Sequence, residues 1–236
     1  YGEQVNVLTV LSYHKLQDVN KLKEALETLQ KENPAAVSRV PDVIPAWLGL
    51  QAYGMKDLET ADKYMTWATQ NDQLQNVKKV IWRNLAKVRL ALKKYDRALV
   101  ASNNFLKVED QPYRRADGML DKASILLGLG KYAEARKTAE EALALGVEGP
   151  LMASLKIVLG DISYAEKKFD EAAKHYGVTA ELFVNDAELK PKALFKAAEA
   201  LDKAGRKSEA SQYRARLQKE FPDWKQEGES LPPDAR

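Results

Sequence analysis

Small residues recur along the chain at helical spacing, and the pattern itself repeats about every 37 residues. In residues 128–146 a short turn precedes a helix that carries Ala135, Ala139 and Ala142 on one face. Small side chains at this spacing let a second helix approach closely. Alanines in the same context stand at Ala61, Ala98, Ala135, Ala172 and Ala210, in steps of 37, 37, 37 and 38 residues.

A second small residue precedes each of these alanines by about twelve positions. These residues are Gly49, Ala86, Ala123, Gly160 and Ala198. A period of this length predicts helical hairpins that stack on one another, because one hairpin cannot bury its apolar face alone. Gly130 and Gly205 fall at the same repeat position, where we expect a left-handed residue to end the first helix of the hairpin.

The two ends of the chain are less regular. Residues 4–32 read as a further hairpin, with one apolar stripe before a turn at residues 18–20 and a second stripe after it. The first stripe is Val5, Leu8, Leu11 and Leu16, and the second is Leu22, Ala25, Leu26 and Leu29. Pro34, Pro41 and Pro45 predict an irregular or short helical connection. The polar residues 223–236 are expected to form a flexible extension or linker.

These small residues, with an aromatic residue just before the second helix and a proline near the repeat end, resemble the tetratricopeptide repeat (TPR) family. The aromatic residues are Tyr95, Tyr132 and Phe169, and the proline is Pro222. The resemblance implies an all-α fold, a right-handed α-α superhelix that forms a TPR-like solenoid of five to six hairpins. It also implies three divisions of one continuous solenoid. Residues 1–45 would form a divergent N-terminal hairpin and connection, residues 46–222 five repeats, and residues 223–236 a polar tail. Family repeats have 34 residues rather than 37.

The resemblance also implies a place for partners, the concave face lined by the first helices. By analogy, the side chains expected to bind a protein or peptide partner there are Tyr53, Arg83, Asn84, Lys87, Asp121, Ser124, Asp161 and Tyr164. Arg83, Asn84 and Lys87 lie on one helical face and could hold a carboxylate; the alternative is a solvated basic face. The family's carboxylate clamp is not predicted, because Asp121 and Asp161 stand roughly where it needs Lys and Arg.

Charge adds little to this interpretation. The net charge of the chain is +3, although residues 77–118 carry eleven Lys and Arg against four Asp and Glu. This excess is split over two helices and two loops, as solvated charges commonly are, so no nucleic-acid partner is predicted. The sequence contains no run of 18 apolar residues and therefore predicts no membrane span.

The search for catalytic chemistry is negative. The absence of cysteine excludes disulfides and thiol catalysis. The two histidines, His14 and His175, fit packing better than catalysis, and no phosphate-binding loop, nucleophile elbow or zinc-protease motif occurs. We therefore predict no catalytic residues, no metal site, no cofactor and no enzyme activity.

The expected function is a non-catalytic scaffold or adaptor that binds a peptide or protein segment in the concave groove. The alternative is a structural spacer or self-associating component of a bacterial envelope assembly. In that case the N-terminal end is the expected homo-oligomer interface. The absence of cysteine favours the periplasm or envelope, and a chain that begins at Tyr1 is compatible with removal of a targeting segment.

Overall fold

The computed structural model describes residues 2–70, 75–182 and 186–225, and regular structure in these ranges is helical throughout. The helices up to residue 109 are α1 Gly2–Lys15, α2 Val19–Glu32, a 3-10 helix Pro34–Arg39, α3 Val43–Gly54, α4 Leu58–Ala68, α5 Gln75–Ala91 and α6 Tyr95–Val108. Those that follow are α7 Pro112–Gly128, α8 Tyr132–Ala144, α9 Gly149–Ala165, α10 Phe169–Leu182, α11 Leu189–Lys203 and α12 Lys207–Glu220. The predicted all-α class of TPR-like hairpins is confirmed, as is the short helical connection after residue 33.

The chain divides into two compact units, Tyr1–Glu109 and Asp110–Arg236. Each contains three helical pairs, in which the odd-numbered helix, called the first helix below, packs against the even-numbered second helix that follows. The division into residues 1–45, 46–222 and 223–236 stays a prediction. Residues 226–236 of the predicted tail lie outside the described residues. Trp224, at its beginning, is half-buried and lies 5.7 Å from Phe195 of α11 between ring centroids.

The repeated small residues lie where the helices meet. The side chains of Ala61, Ala98, Ala135, Ala172 and Ala210 are all 0% exposed. Gly49 of α3 faces Met65 of α4, and Gly160 of α9 faces the ring of Tyr176 in α10. At both glycines a Cβ atom would lie less than 3 Å from the facing side chain. These positions are therefore small because the partner helix leaves no room for a side chain.

In the N-terminal pair, the predicted stripe on α2 is confirmed and the one on α1 is wrong. Leu22, Leu26 and Leu29 of α2 are fully buried, and Ala25 is half-buried. On α1 the stripe expected to be buried is exposed: Leu8 is 60%, Leu11 37% and Leu16 72% exposed. The side chain of Val5 lies outside the described residues.

Val10 of α1, which is 0% exposed, enters the core instead, with Val7 and Tyr13 packed partly against it. These three residues recur at helical spacing, as Leu8 and Leu11 do. Apolar residues thus line two faces of α1, and only contact with α2 and the 3-10 helix decides which face is buried.

One turn geometry closes the six helical pairs. The second residue after the first helix, called the turn residue below, has a positive φ in each pair: Gln17 (55°), Lys56 (63°), Lys93 (57°), Gly130 (72°), Lys167 (61°) and Gly205 (78°). The N–H group of the next residue donates back to the last turn of the first helix, as in Arg206 N–H to Leu201 O at 2.8 Å. The left-handed glycines at 130 and 205 are confirmed, and the N-terminal pair shares this turn.

A non-glycine residue in this left-handed conformation costs about 1–2 kcal/mol. We therefore expect Lys167→Gly to raise the free energy of unfolding by about 1 kcal/mol, as measured by urea unfolding and circular dichroism. Gly130→Ala, in the same unit, is the matched control and should lower it by about 1 kcal/mol. No heavy atom lies within 4 Å of the Cβ position at Gly130, so the control tests backbone strain alone. A loss of stability in Lys167→Gly would contradict this explanation.

Candidate partner-binding surface on the first helices

The first helices can be compared with one another by counting positions back from the turn residue of each pair. The residues nine and six positions before it are Leu8 and Leu11, Trp47 and Leu50, and Asn84 and Lys87 in the first unit. In the second unit they are Asp121 and Ser124, Val158 and Asp161, and Lys196 and Glu199. The chemistry at these two positions thus differs between the units.

In the first unit these positions form a surface that changes from apolar to polar. We call Leu8, Leu11, Trp47, Leu50, Asn84 and Lys87 the first-helix face. Leu8 and Leu11 are exposed, and the other four residues are half-buried. The ring of Trp47 meets His14 of α1 edge-on, with 5.4 Å between centroids, and α3 packs against α5. Apolar and polar side chains therefore lie on neighbouring first helices.

Charges in the first unit are segregated between the two kinds of helix. The first helices α1, α3 and α5 contain six Lys and Arg but a single acidic residue, Glu3. The second helices α2, α4 and α6 contain six acidic residues and six basic ones. In this unit the acidic residues of the helices lie on the second helices, except for Glu3.

The predicted residues of the first unit lie on α3 and α5. Tyr53, Arg83, Asn84 and Lys87 are all half-buried. The side-chain amide of Asn84 donates to the backbone oxygen of Val80 at 2.9 Å. This bond uses the amide nitrogen and leaves the amide oxygen as an acceptor.

Arg89, also on α5, belongs to a buried network instead of this surface. Its guanidinium donates to Asp62 at 2.7 Å, to the Thr66 hydroxyl at 2.8 Å and to the backbone oxygen of Arg97 at 3.2 Å. The Lys94 ammonium donates to the other Asp62 oxygen at 3.0 Å. Burial raises the pKa of Asp62, but the hydrogen bonds from Arg89 and Lys94 outweigh it and hold the pKa below its ordinary value.

The predicted residues of the second unit are engaged in its internal packing. Asp161 accepts a hydrogen bond from the Tyr176 hydroxyl at 2.6 Å and two from the Lys196 ammonium, at 2.7 and 2.9 Å. Tyr176 is fully buried, and burial together with the Asp161 charge raises the pKa of its hydroxyl. The Ser124 hydroxyl donates to the backbone oxygen of Leu120 at 3.1 Å, and Asp121 is half-buried.

The prediction that Tyr164 lies on the surface is wrong. It was expected on an outward position, but its side chain is 3% exposed and meets the ring of Phe169 at 5.2 Å between centroids. Phe169 opens α10, so the tyrosine packs inside the helical pair. Its position on the first helix faces the second helix instead of the surface.

Ion pairs between successive helical pairs were missed by the sequence analysis. Arg136 bonds to Glu171 at 2.7 Å and to Glu166 at 2.6 Å, and Lys63 bonds to Glu27 at 3.2 Å. The pairs Lys63–Glu27, Arg136–Glu171 and Lys196–Asp161 stand 35 or 36 positions apart in the sequence, close to one repeat, whereas Arg136 and Glu166 stand 30 apart. Opposite charges about one repeat apart in the sequence could therefore have suggested contacts between stacked helical pairs.

His175 is packed, as its interpretation from sequence favoured. It is half-buried, its ring nitrogen Nε2 lies 3.8 Å from Glu171, and burial lowers the pKa of its imidazole. The described residues contain no cluster of three or more His, Cys, Asp or Glu side chains suited to a metal ion. No helix in the described ranges has the length and apolar character needed to cross a membrane.

Comparison with known proteins agrees with this architecture. A family model described as a tetratricopeptide repeat matches residues 120–183. The comparison with curated proteins gave no match. The six helical pairs in the described residues share one repeated turn, and the chain has the fold of a TPR-like helical-repeat protein.

Three of the solved structures that are similar to this chain illustrate the extent of the match. The protein MamA is 16% identical, with 81% of this chain and 98% of MamA covered and a TM-score of 0.59. The quorum sensor NprR of B. thuringiensis, in its apo form, is 16% identical, with 94% and 66% covered and a TM-score of 0.66. A Rap protein in complex with competence and sporulation factor is 16% identical, with 91% and 63% covered and a TM-score of 0.64. At these identities the similarity concerns the fold.

Proposed function

We propose that this protein is a non-catalytic interaction scaffold that binds a peptide or protein segment on the first-helix face of its first unit. The observation that carries the proposal is the exposure of Leu8 and Leu11, which occupy the same positions on α1 as Trp47 and Leu50 occupy on α3. Apolar side chains gain free energy when a partner removes them from water. The TPR-like fold supports a scaffold, and a Rap protein of similar fold forms a complex with competence and sporulation factor.

We include Arg83, Asn84 and Lys87 on α5 and Tyr53 on α3 in this binding surface. In the proposal they hold a polar or acidic group of the partner, while the apolar side chains supply most of the contact area. Asp121, Ser124 and Asp161 of the second unit are assigned to a separate, weaker contact, because their side chains are half-buried and two of the three hold internal hydrogen bonds. Tyr164 is left out because it is buried.

An affinity pull-down from lysate of the source organism tests this function. The wild type is compared with the triple variant Arg83→Ala, Asn84→Ala, Lys87→Ala and with a second variant, Leu8→Ser, Leu11→Ser. A matched control is Lys137→Ala, Glu140→Ala, Glu141→Ala, which removes three exposed side chains from α8. We expect a partner that the wild type and the control retain and that both face variants lose by at least tenfold. Equal retention by all four proteins would contradict the proposed surface.

Self-association is the second candidate, and a particular observation favours it. Leu16, the residue after α1, is 72% exposed, so exposed apolar side chains continue from Leu8 and Leu11 to the C-terminal end of α1. Sedimentation of the same proteins separates the two functions. If the wild type is a dimer and the variant Leu8→Ser, Leu11→Ser is a monomer, α1 forms a contact between two copies of the chain. If the wild type and every variant are monomers, the exposed side chains of α1 serve to bind a different partner.

A further inference from the structure

We propose that a groove between α1 and α2 binds a neutral sugar through a single sugar ring. The groove has a volume of about 300 Å³, at the lower end of the range for small-molecule sites, which suits a ligand of that size. None of the residues that line it belongs to the first-helix face. The inference therefore concerns a second site and goes beyond the proposed function.

The groove combines an aromatic ring with polar side chains. Tyr13 of α1 and Ala25 of α2, both half-buried, supply its apolar part. Asn6 of α1 and Glu24 and Thr28 of α2 supply polar groups around it. A sugar ring has apolar C–H faces and carries its hydroxyl groups at the edge. A ring that packs on the tyrosine therefore brings its hydroxyls to the polar side chains, as an amphipathic aromatic side chain favours.

The polar side chains of the groove have hydrogen-bonding capacity to offer a sugar. The amide nitrogen of Asn6 donates to Glu32 at 3.4 Å, which leaves the amide oxygen as an acceptor. The Thr28 hydroxyl can donate and accept, and the Glu24 carboxylate accepts. Thr28 and Glu24 are exposed, so a ligand hydroxyl can replace the water around them. A hydroxyl bonded to a carboxylate forms one of the stronger hydrogen bonds available.

The charges of the groove favour a neutral ligand over an ion. Lys21 and Glu24 both line it and stand three positions apart on α2, with opposite charges. The ammonium of Lys21 lies 3.6 Å from the Asp18 carboxylate and 5.8 Å from the centre of the Tyr13 ring. An anion would therefore meet a lysine that is already paired and a carboxylate that repels it. A cation would gain little, because exposed ion pairs contribute at most about 1 kcal/mol.

Saturation-transfer-difference NMR with the full chain tests this site. The probes are glucose, galactose, mannose and N-acetylglucosamine, with glucuronate and glucosamine as the acidic and basic counterparts of glucose. We expect at least one neutral sugar to bind with a dissociation constant of about 1 mM. Glucuronate and glucosamine should bind at least about fivefold more weakly than that sugar, because each adds a charge that the groove does not compensate.

Substitutions in the groove identify the residues that hold the sugar. Glu24→Gln and Thr28→Val change exposed side chains and should each weaken binding by about fivefold or more, as expected for the loss of one hydrogen bond. Tyr13→Leu removes the ring and should weaken binding by about tenfold. Because Tyr13 also packs partly against the core, circular dichroism checks the fold of this variant, and the two exposed substitutions test the site without it.

Two control variants should bind the sugar as the wild type does. Glu140→Gln makes the same change as Glu24→Gln at an exposed position of α8, in the second unit. Leu8→Ser, Leu11→Ser changes the first-helix face and leaves the groove intact. Binding that persists in these two variants and falls in the groove variants would support the inference.

Several results would overturn the inference. They are no binding of any of the four neutral sugars, binding that neither Glu24→Gln nor Thr28→Val weakens, and glucuronate or glucosamine binding as tightly as the best neutral sugar. Loss of sugar binding in Leu8→Ser, Leu11→Ser would also overturn it, because the sugar would then lie on the first-helix face. None of these results contradicts the proposed function, which the pull-down tests separately.

Discussion

Asp62→Ala is expected to lower the free energy of unfolding by about 3 kcal/mol. Asp62 and Arg89 are both buried, with side chains 8% and 9% exposed, and their charges meet at 2.7 Å. Removal of the carboxylate leaves the guanidinium of Arg89 in the interior without a compensating charge. Its remaining acceptors, the Thr66 hydroxyl and the Arg97 backbone oxygen, are neutral.

Urea unfolding followed by tryptophan fluorescence measures this effect, since Trp47, Trp67 and Trp82 all lie in the first unit. The control Lys137→Ala removes an exposed pair with Glu141, whose side chains are 78% and 55% exposed, and should cost less than about 0.5 kcal/mol. The double variant Asp62→Leu, Arg89→Met replaces both charges with apolar groups and should recover most of the loss. If the double variant were no more stable than Asp62→Ala, the loss of stability would arise from the change in side-chain shape and not from the unpaired charge.

Gly160→Ala is expected to lower the free energy of unfolding by about 2 kcal/mol, although alanine favours a helix more than glycine does. A Cβ atom at this position would lie 2.4 Å from Cε1 of Tyr176 and 2.7 Å from its Cδ1. The ring cannot easily move away, because it is fully buried and its hydroxyl donates to Asp161 at 2.6 Å. The helices α9 and α10 must therefore separate to admit the methyl group.

The control for this substitution is Gly54→Ala, at the end of α3, where no heavy atom lies within 4 Å of the new Cβ. It should leave stability unchanged or raise it by up to about 1 kcal/mol. Tyr176→Leu provides a further test, because a smaller side chain makes room for the methyl group. The losses from Gly160→Ala and Tyr176→Leu should sum to more than the loss in the double variant. Additive losses would contradict the steric explanation.

Periodicity was a reliable guide to helical packing where a small residue recurred. Each alanine of the 37-residue series is fully buried, and Gly130 and Gly205 have the left-handed conformation expected of them. Small size and conformational freedom are properties of the residue itself, so they can be read in a sequence. The same turn position is filled by Lys56, Lys93 and Lys167, which carry no such mark. Their conformation is imposed by the helical pair around them.

The candidate surface was predicted less well, for a physical reason. Position on a first helix predicted outward side chains at Tyr53, Asn84 and Lys87; these side chains are half-buried, and their role in binding a partner stays a prediction. The same reasoning failed at Tyr164, because an aromatic residue near the end of a first helix can turn toward the second helix. The apolar stripe predicted on α1 likewise did not indicate that Leu8 and Leu11 would be exposed. Both errors arise where one helix has two faces that could be buried.

The helical-repeat class, the approximate positions of the helices and the close helix–helix contacts at the repeated alanines and glycines could be predicted from the sequence alone. These depend on local spacing and side-chain size, which recur with the repeat. Two features became apparent only once the helices were packed together: which apolar face of α1 is exposed to solvent, and which charges pair between successive helical pairs. The buried face of α1 depends on contact with α2 and the 3-10 helix. The charge pairs join side chains about one repeat apart in the sequence, such as Asp161 and Lys196, which meet only after the helices stack.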